Sequence, residues 1–455
     1  MPDPAARSGG MNPPWPPLLL LAATLLAWSG ILAGGFRFDD LPNLVHDPAT
    51  FQASAFLDRL GWGLRPLLRA SYFLDHALWG MRPAGFLLTQ LLLHAGCVLG
   101  VHQLARQRLG HGTAAFAAGL CFALQPAHAE AVAYLSGRSV LLSTTLLVAG
   151  LLAHERAREG GRAWRLGSLA AFALACLARE TALVFPLLLA LWEGTRPEAG
   201  PRRVWPGPAA GLPALAVAAA TLLLLVSLRT YRELFGFSWA LRGPLENLGL
   251  HLAALPLQLS LWFRPWALSP VHAPPTVDGT AVLLGLCLAL ALAAVWFLRG
   301  RSPAAALAAL WVLVALAPTH TVFSRLDPIT ERPLYLAWLG PALLLGQVAV
   351  APARRGILLP AAAGVLLLAA GATIQRVRVW TDPLRLWADA VAKAPHSSLA
   401  WNNLGAARRE AGDPVGAAVA VRRALQLDPA NRTARLQLLE LEFSEPVATL
   451  QGREP

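Results

Sequence analysis

Apolar runs of about 20 residues recur from Leu18 to Ile374, and they restrict the fold more than any other feature of the chain. A helix of that length crosses a hydrocarbon core of ~30 Å at 1.5 Å per residue. No single water-soluble core could hide so many. The balance of residues agrees: 56% of the 455 residues are hydrophobic, 14% are charged and the mean hydropathy is +0.50, whereas soluble domains carry about 25% charged residues. A soluble enzyme is excluded. The chain reads as an all-α polytopic membrane bundle, and only the last stretch, after about residue 378, looks soluble.

Candidate spans fall at 16–35, 84–105, 113–129, 131–153, 164–178, 182–194, 208–228, 279–298, 303–322, 333–350 and 356–374, eleven in all. The first resembles a signal peptide in being followed by small residues from Gly30 to Gly35, but Arg37-Phe38-Asp39-Asp40 comes directly after, so it is read as retained. The formal charge of +12 is almost all arginine, Lys393 being the only lysine. These arginines are dispersed among the apolar runs, which excludes a phosphate-tracking patch for nucleic acid. They mark topology instead: connectors holding Arg106 and Arg108, Arg156 to Arg165, Arg196 to Arg203, Arg299 and Arg301, and Arg354 and Arg355 should stay cytoplasmic. That parity needs 164–194 to cross twice, with Arg179-Glu180-Thr181 at the break. Short, broken spans survive only against protein or a wet cavity. The run 247–263 would upset the parity as a span, so 229–278 is read as one external region with an amphipathic or re-entrant helix. Loops 36–83 and 229–278 and the tail then share the external face. Cys97, Cys121, Cys176 and Cys287 all lie inside apolar runs with no metal-ligand spacing.

The membrane domain is taken as 1–378. From 379 to 445 the sequence suits a small tetratricopeptide-repeat domain, and 446–455 is a tail. Trp401, Leu404, Gly405, Ala417, Val421, Ala424 and Pro429 fit one full repeat, in which small and large residues interlock two antiparallel helices. Arg408 departs from the usual aromatic. Trp387, Ala390 and Pro395 fit a preceding half-repeat, and 433–443 a capping helix. The pattern specifies a fold and is silent about a ligand; a cap on the last span and a peptide-binding module both remain open.

Chemistry is suggested at four places on the external side. Asp39 and Asp40 follow the first span almost at once, where one carboxylate could take a proton from a hydroxyl while its neighbour orients it; either could equally cap a helix. Pro126-Ala127-His128-Ala129-Glu130, continuing to Arg138, puts ionisable groups at a junction of spans, where they face a partner or a cavity. A Glu130 to Arg138 ion pair would explain them without chemistry. Arg179-Glu180 and Glu331-Arg332 repeat the arrangement. Three such sites on one face point to a shared basic cavity. An anionic lipid-linked substrate would lay its tail among helices there, with its phosphate on Arg138, Arg179 or Arg332. Arg65 and Arg69 in the first loop could contribute.

Together these motifs, namely Phe38-Asp39-Asp40, Arg65-Pro66-Leu67, Leu91 to His94, Pro126-x-His128-x-Glu130 with Gly137-Arg138, Arg179-Glu180 and Glu331-Arg332-Pro333-Leu334-Tyr335-Leu336, resemble those of GT-C type glycosyltransferases. The similarity is greatest to the transmembrane and tetratricopeptide-repeat-containing O-mannosyltransferases and their bacterial relatives. The resemblance implies an inverting transfer of one sugar, mannose being a candidate, from a polyprenyl-phosphate carrier to an external hydroxyl of protein Ser/Thr or of a glycan. It implies Asp39 or Asp40 as the base and Arg138, Arg179 and Arg332 as the donor-phosphate site, with His128, Glu130, Glu180, Glu331 and Arg65 in support. It implies no metal and no cofactor beyond the lipid-linked donor. This chain departs in having few repeats and in Arg179 where lysine is common. The scarcity of lysine resembles coding from a GC-rich bacterial genome, which would make the membrane the inner one, the site and repeats periplasmic and the donor an undecaprenyl-phosphate sugar. Two other classes compete: a non-catalytic scaffold presenting the repeats, for which the carboxylates would be dispensable, and a transporter of lipid-linked saccharide, for which an inverted repeat should be visible and none is.

Overall fold

The computed structural model describes residues 15–196, 208–320, 324, 327–349 and 355–451. Arg202, Arg203, Arg354 and the end of the tail fall outside them. Among the described residues all regular structure is helical. α1 (Trp15–Trp28) is followed by a loop bearing α2 (Ala53–Trp62) and α3 (Pro66–Trp79), then by α4 (Pro83–Leu109) and α5 (Gly112–Ala123). A one-turn α6 (Ala129–Val132) precedes α7 (Arg138–Glu159), α8 (Arg162–Ala178), α9 (Phe185–Gly194) and α10 (Pro208–Ser227). α11 (Arg229–Leu241) and α12 (Pro244–Ser260) lead to α13 (Gly279–Ala294), α14 (Pro303–His320), α15 (Pro333–Ala337), α16 (Leu339–Ala349) and α17 (Arg355–Thr381). Four helices close the chain: α18 (Pro383–Lys393), α19 (Ser398–Glu410), α20 (Pro414–Leu427) and α21 (Arg432–Gln451).

Every segment read as a span contains helix. Among the described residues six helices are long and apolar enough to cross a membrane unaided: Trp15–Ala33, Pro83–Leu109, Leu135–Glu159, Gly279–Leu298, Pro303–His320 and Pro360–Thr381. α10 and α11 meet at 83°, so the apolar run ending at Ser227 turns sharply into the segment expected to lie along the interface. One boundary differs from the sequence reading. The expected spans 113–129 and 131–153 stop at Ala123 and start again at Arg138, and the residues between them form short 3-10 and α turns. Pro126 cannot continue the α5 hydrogen-bond ladder, which gives His128 and Glu130 a folded turn of their own.

Tight connectors fold α4 back on α5 and α7 back on α8. Gly160 and Gly161, at φ 123° and 119°, turn α7 into α8 through backbone conformations that a side chain would resist. The arginine-bearing connectors 106–111 and 156–165 meet at one end of the bundle, around 192–196. There Arg108 donates to the Trp192 carbonyl at 2.8 Å, and Glu155 pairs with Arg196. The loop 36–83, the turns 124–137 and 179–184, the 228–278 region and the final helices gather at the other end. Proline at the first helical positions of α3, α4, α12, α18 and α20 starts each helix where its missing N–H costs nothing. α18 to α20 pack as hairpins around Ala390, Ala400, Leu404 and Ala407, with Val421 against Gly405, where a β-carbon would meet it at 2.5 Å. Phe38 sits edge-on to Trp387 at 4.3 Å, so these helices rest directly on the first loop.

Candidate active site

At this second end lies a cavity of about 580 Å³. Asp39, Arg65, Arg179, Glu180, Asp327 and Arg332 line its polar part, and Leu222, Leu225, Leu234, Phe235 and Phe237 its apolar part. These groups come from the first loop, the 179–181 turn, the α10–α11 pair and the 327–332 segment, which are far apart in sequence. One contact ties two of them together, and a second anchors Arg332 to the 126–132 turn behind the cavity. Arg65 makes a bidentate pair with Glu180, Nε to Oε2 at 3.0 Å and Nη2 to Oε1 at 2.5 Å. Glu130 accepts from Arg332 Nε at 2.6 Å and from the backbone N–H groups of Glu331 and Arg332 at 2.7 and 3.2 Å. Burial alone would raise the Glu180 carboxyl; the charge of Arg65, with Arg179 beyond it, outweighs burial and holds it at about 2. Arg179 is 5% exposed, donating from Nη1 to Ser139 Oγ at 2.8 Å and from Nε to Thr181 Oγ1 at 3.2 Å.

The lining is mixed in charge: the expected basic groups come with an equal number of acidic ones, three guanidinium groups facing the carboxylates of Asp39, Glu180 and Asp327 among the described residues. Pairing is what makes the arrangement tolerable at this depth, because an uncompensated buried ion costs several kcal/mol. The result is a site that offers both a proton acceptor and anion-stabilising donors.

The two neighbouring carboxylates part company. Asp39 is exposed and lines the cavity, its amide donating to Tyr134 Oη at 3.2 Å. Asp40 is 1% exposed; its Oδ1 accepts from Ser136 N and Oγ at 2.9 and 2.7 Å and its Oδ2 from Arg37 N at 3.1 Å. Asp40 therefore fastens the first loop to the 134–137 turn. Phe38 has φ 41° and Arg65 φ 53°, the two non-glycine residues with positive φ among the described residues. Strain of ~1–3 kcal/mol persists where surrounding contacts impose it, and here it flanks Asp39 and aims Arg65. Burial pushes the Asp40 carboxyl up to about 6, against the hydrogen bonds and the Arg37 charge that favour ionisation. The folded state thus binds this proton more tightly than the unfolded chain, whose carboxyl titrates near ~4. Stability should fall as pH rises from about 4 to about 6, by up to ~1.4 kcal/mol per pH unit. Denaturant titrations across that window should show the slope in the wild type and its loss in Asp40→Asn.

Besides Asp40 and Glu130, three more of the expected site residues, Arg138, His128 and Glu331, are absent from the lining. Arg138 is fully buried, 0% exposed, and bonded to Asp75 Oδ2 at 2.5 Å, Gln90 Oε1 at 3.1 Å and the Phe86 carbonyl at 2.6 Å, with Tyr72 beneath it at 4.8 Å. Its donors are turned into the junction of α3, α4 and α7, so it does not line the cavity where a donor phosphate was expected, and its partner is Asp75, not the Glu130 of the alternative ion-pair reading. His128 is 0% exposed among Phe122, Tyr335 and His94, and neither ring nitrogen has a hydrogen-bond partner, which makes it a core residue. Glu331 is 0% exposed and turned away from the cavity toward Ser269 and His272. Arg69 pairs with Asp47, also outside the lining. Sequence reasoning missed Tyr134, whose ring carries the Arg332 guanidinium at 5.0 Å, as well as Tyr231 and Asp327. Tyr134 lies in a segment with no charge pattern to single it out, whereas Tyr231 stands beside Arg229 and Arg232-Glu233, a charged signal that the motif reading did not use. Among the described residues no group of three or more His, Cys, Asp or Glu converges as a metal site would.

No family model matches the chain. A protein O-mannosyl-transferase of Caenorhabditis elegans is 28% identical over 160 residues, covering 31% of this chain and 23% of that protein. A protein O-mannosyl-transferase of Drosophila melanogaster is 40% identical over 121 residues, covering 25% and 13%. The chain spans less than a quarter of the length of these relatives. Among solved structures, ArnT from Cupriavidus metallidurans bound to undecaprenyl phosphate aligns with 93% of this chain and 77% of its own, at TM-score 0.49 and 16% identity. An Archaeoglobus fulgidus oligosaccharyltransferase tethered with an acceptor peptide aligns with 83% and 55%, at TM-score 0.41 and 14% identity. In sequence, then, part of this chain resembles part of these protein O-mannosyl-transferases.

Proposed function

We propose that this chain is an inverting glycosyltransferase that moves one sugar from a polyprenyl-phosphate carrier to a hydroxyl on the membrane face opposite its basic connectors. One observation carries the reading: a single cavity joins the Asp39 carboxylate to Arg65, Arg179 and Arg332 at its polar end and to leucine and phenylalanine side chains at the other. That is the chemistry of an anionic headgroup on an isoprenoid tail. Asp39 takes the proton of the acceptor hydroxyl as its oxygen bonds to the anomeric carbon. The bond from that carbon to the phosphate oxygen breaks on the opposite face, so the configuration inverts. The departing polyprenyl phosphate gains a negative charge, which Arg179 and Arg332 stabilise more in the transition state than in the substrate. In this reading guanidinium groups do what a divalent cation would otherwise do, and the reaction calls for no cofactor. The named activity of the similar proteins makes mannose and a Ser or Thr hydroxyl the first pair to test. The scarcity of lysine, with Lys393 the only one, supports a bacterial inner membrane with the site periplasmic and an undecaprenyl-phosphate donor.

Purified protein in lipid nanodiscs, given radiolabelled undecaprenyl-phosphate mannose and Ser/Thr peptides, should transfer label with inverted anomeric configuration. Failure to consume any polyprenyl-phosphate sugar would overturn the assignment. Protease treatment of spheroplasts should cut the C-terminal helices; a protected tail would overturn the topology.

A further inference from the structure

The segment between α12 and α13 makes contact in two directions at once. On one side, Val271 is 7% exposed within the cluster formed by Trp387, Ala390, Leu404 and Ala407 of the C-terminal helices. Lys393 of α18 donates to the Leu268 carbonyl at 2.8 Å. On the other side, Ser269 N donates to Glu331 Oε1 at 2.6 Å, and His272 Nε2 lies 3.1 Å from the same oxygen. Glu331 is 0% exposed and its other oxygen, Oε2, has no hydrogen-bond partner. Its backbone amide and the side chain of the next residue, Arg332, both bond Glu130. Arg332 then faces the cavity.

We propose that His272 and Glu331 are positioning residues through which the C-terminal helices set the orientation of Arg332. A buried carboxylate is held in place only by the donors that reach it. Both donors that reach Glu331 Oε1 come from one short strap, four residues from Ser269 to His272. Shifting the strap removes both together. Glu331 must then move toward other donors, and the Glu331-Arg332 backbone, which shares Glu130 with the Arg332 guanidinium, moves with it. Because Val271 is seated in the helical repeats and Lys393 grips Leu268, the position of the repeats is transmitted to the guanidinium. An acceptor or partner that shifts these helices would thereby tune the affinity for donor. This inference rests on the reading that Arg332 meets a lipid-linked phosphate.

Undecaprenyl phosphate binding to the full-length protein in nanodiscs separates the two. Arg332→Gln should weaken binding strongly; if it binds as the wild type does, the donor-site reading itself fails. With that established, His272→Ala and Lys393→Met should each weaken binding about 10-fold, within the range of measured site-to-site couplings, although neither residue lines the cavity. His272→Gln, which keeps an N–H donor, should return affinity to within about twofold of the wild type on the same basis. In turnover kcat should fall together with a rise in donor KM, because Arg332 is assigned to the departing phosphate as well as to the bound one. Wild-type affinity in both His272→Ala and Lys393→Met, or loss in His272→Ala that His272→Gln does not rescue, would overturn the coupling.

Discussion

Asp39→Asn is expected to lower transfer by about 10²-fold or more at saturating donor, the usual contribution of a general base, while undecaprenyl phosphate binding stays within about threefold. The amide keeps the size and shape of the side chain and loses only the ability to accept the proton. Asp39 lines the cavity beside Arg332, and its backbone is anchored through its own N–H to Tyr134 and by the bonds of Asp40 to Ser136, so the substitution should leave the fold intact. Asp40→Asn should behave differently. Its side chain accepts three hydrogen bonds from Ser136 and Arg37 and does not line the cavity. It should alter the pH dependence of stability and retain most of kcat. Label transfer measured for the two variants side by side decides the matter: equal losses, or a larger loss in Asp40→Asn, would remove Asp39 as base.

The second large effect concerns stability. Arg138→Gln should destabilise the protein by about 3–5 kcal/mol, the cost of leaving one member of a buried pair without its partner. Asp75 would remain 2% exposed with Thr89 Oγ1, at 2.7 Å, as its remaining side-chain donor, and the Gln90 and Phe86 oxygens would lose the guanidinium. The double variant Arg138→Met with Asp75→Leu should recover much of the loss, since replacing both charges by apolar groups is often neutral or better. Thermal unfolding in detergent, with retention of undecaprenyl phosphate binding as the second readout, checks both statements. A stable Arg138→Gln that no longer binds the lipid phosphate would instead return Arg138 to the donor site.

Arg138 shows where the reading of motifs stopped. Arginine after a Pro-x-His-x-Glu segment at a membrane junction signals a group that must be satisfied there, and it is satisfied, but by Asp75 from α3 rather than by a ligand. Asp75 lies in an amphipathic stretch of the first loop that offers no sign of its partner. Arg179, Arg332 and Arg65 carry similar local signals and do line the cavity. Their difference from Arg138 lies in neighbours contributed by remote elements. His128 is another instance: a histidine beside a glutamate suggests chemistry, yet three aromatic rings enclose it.

What the amino-acid order determined by itself was the helical class, the location of the apolar segments and their grouping of charged turns at one end. These follow from hydropathy, run length and the side on which arginine connectors fall, all of which are summed along the chain. Only the tertiary structure chose between adjacent groups. Asp39 faces the cavity and Asp40 faces Ser136 because Phe38 takes φ 41°, and Glu130 reaches Arg332 because distant turns meet over the same end of the bundle. Side-chain direction is set by backbone dihedrals and by partners more than 60 residues away, and neither is written in composition or period.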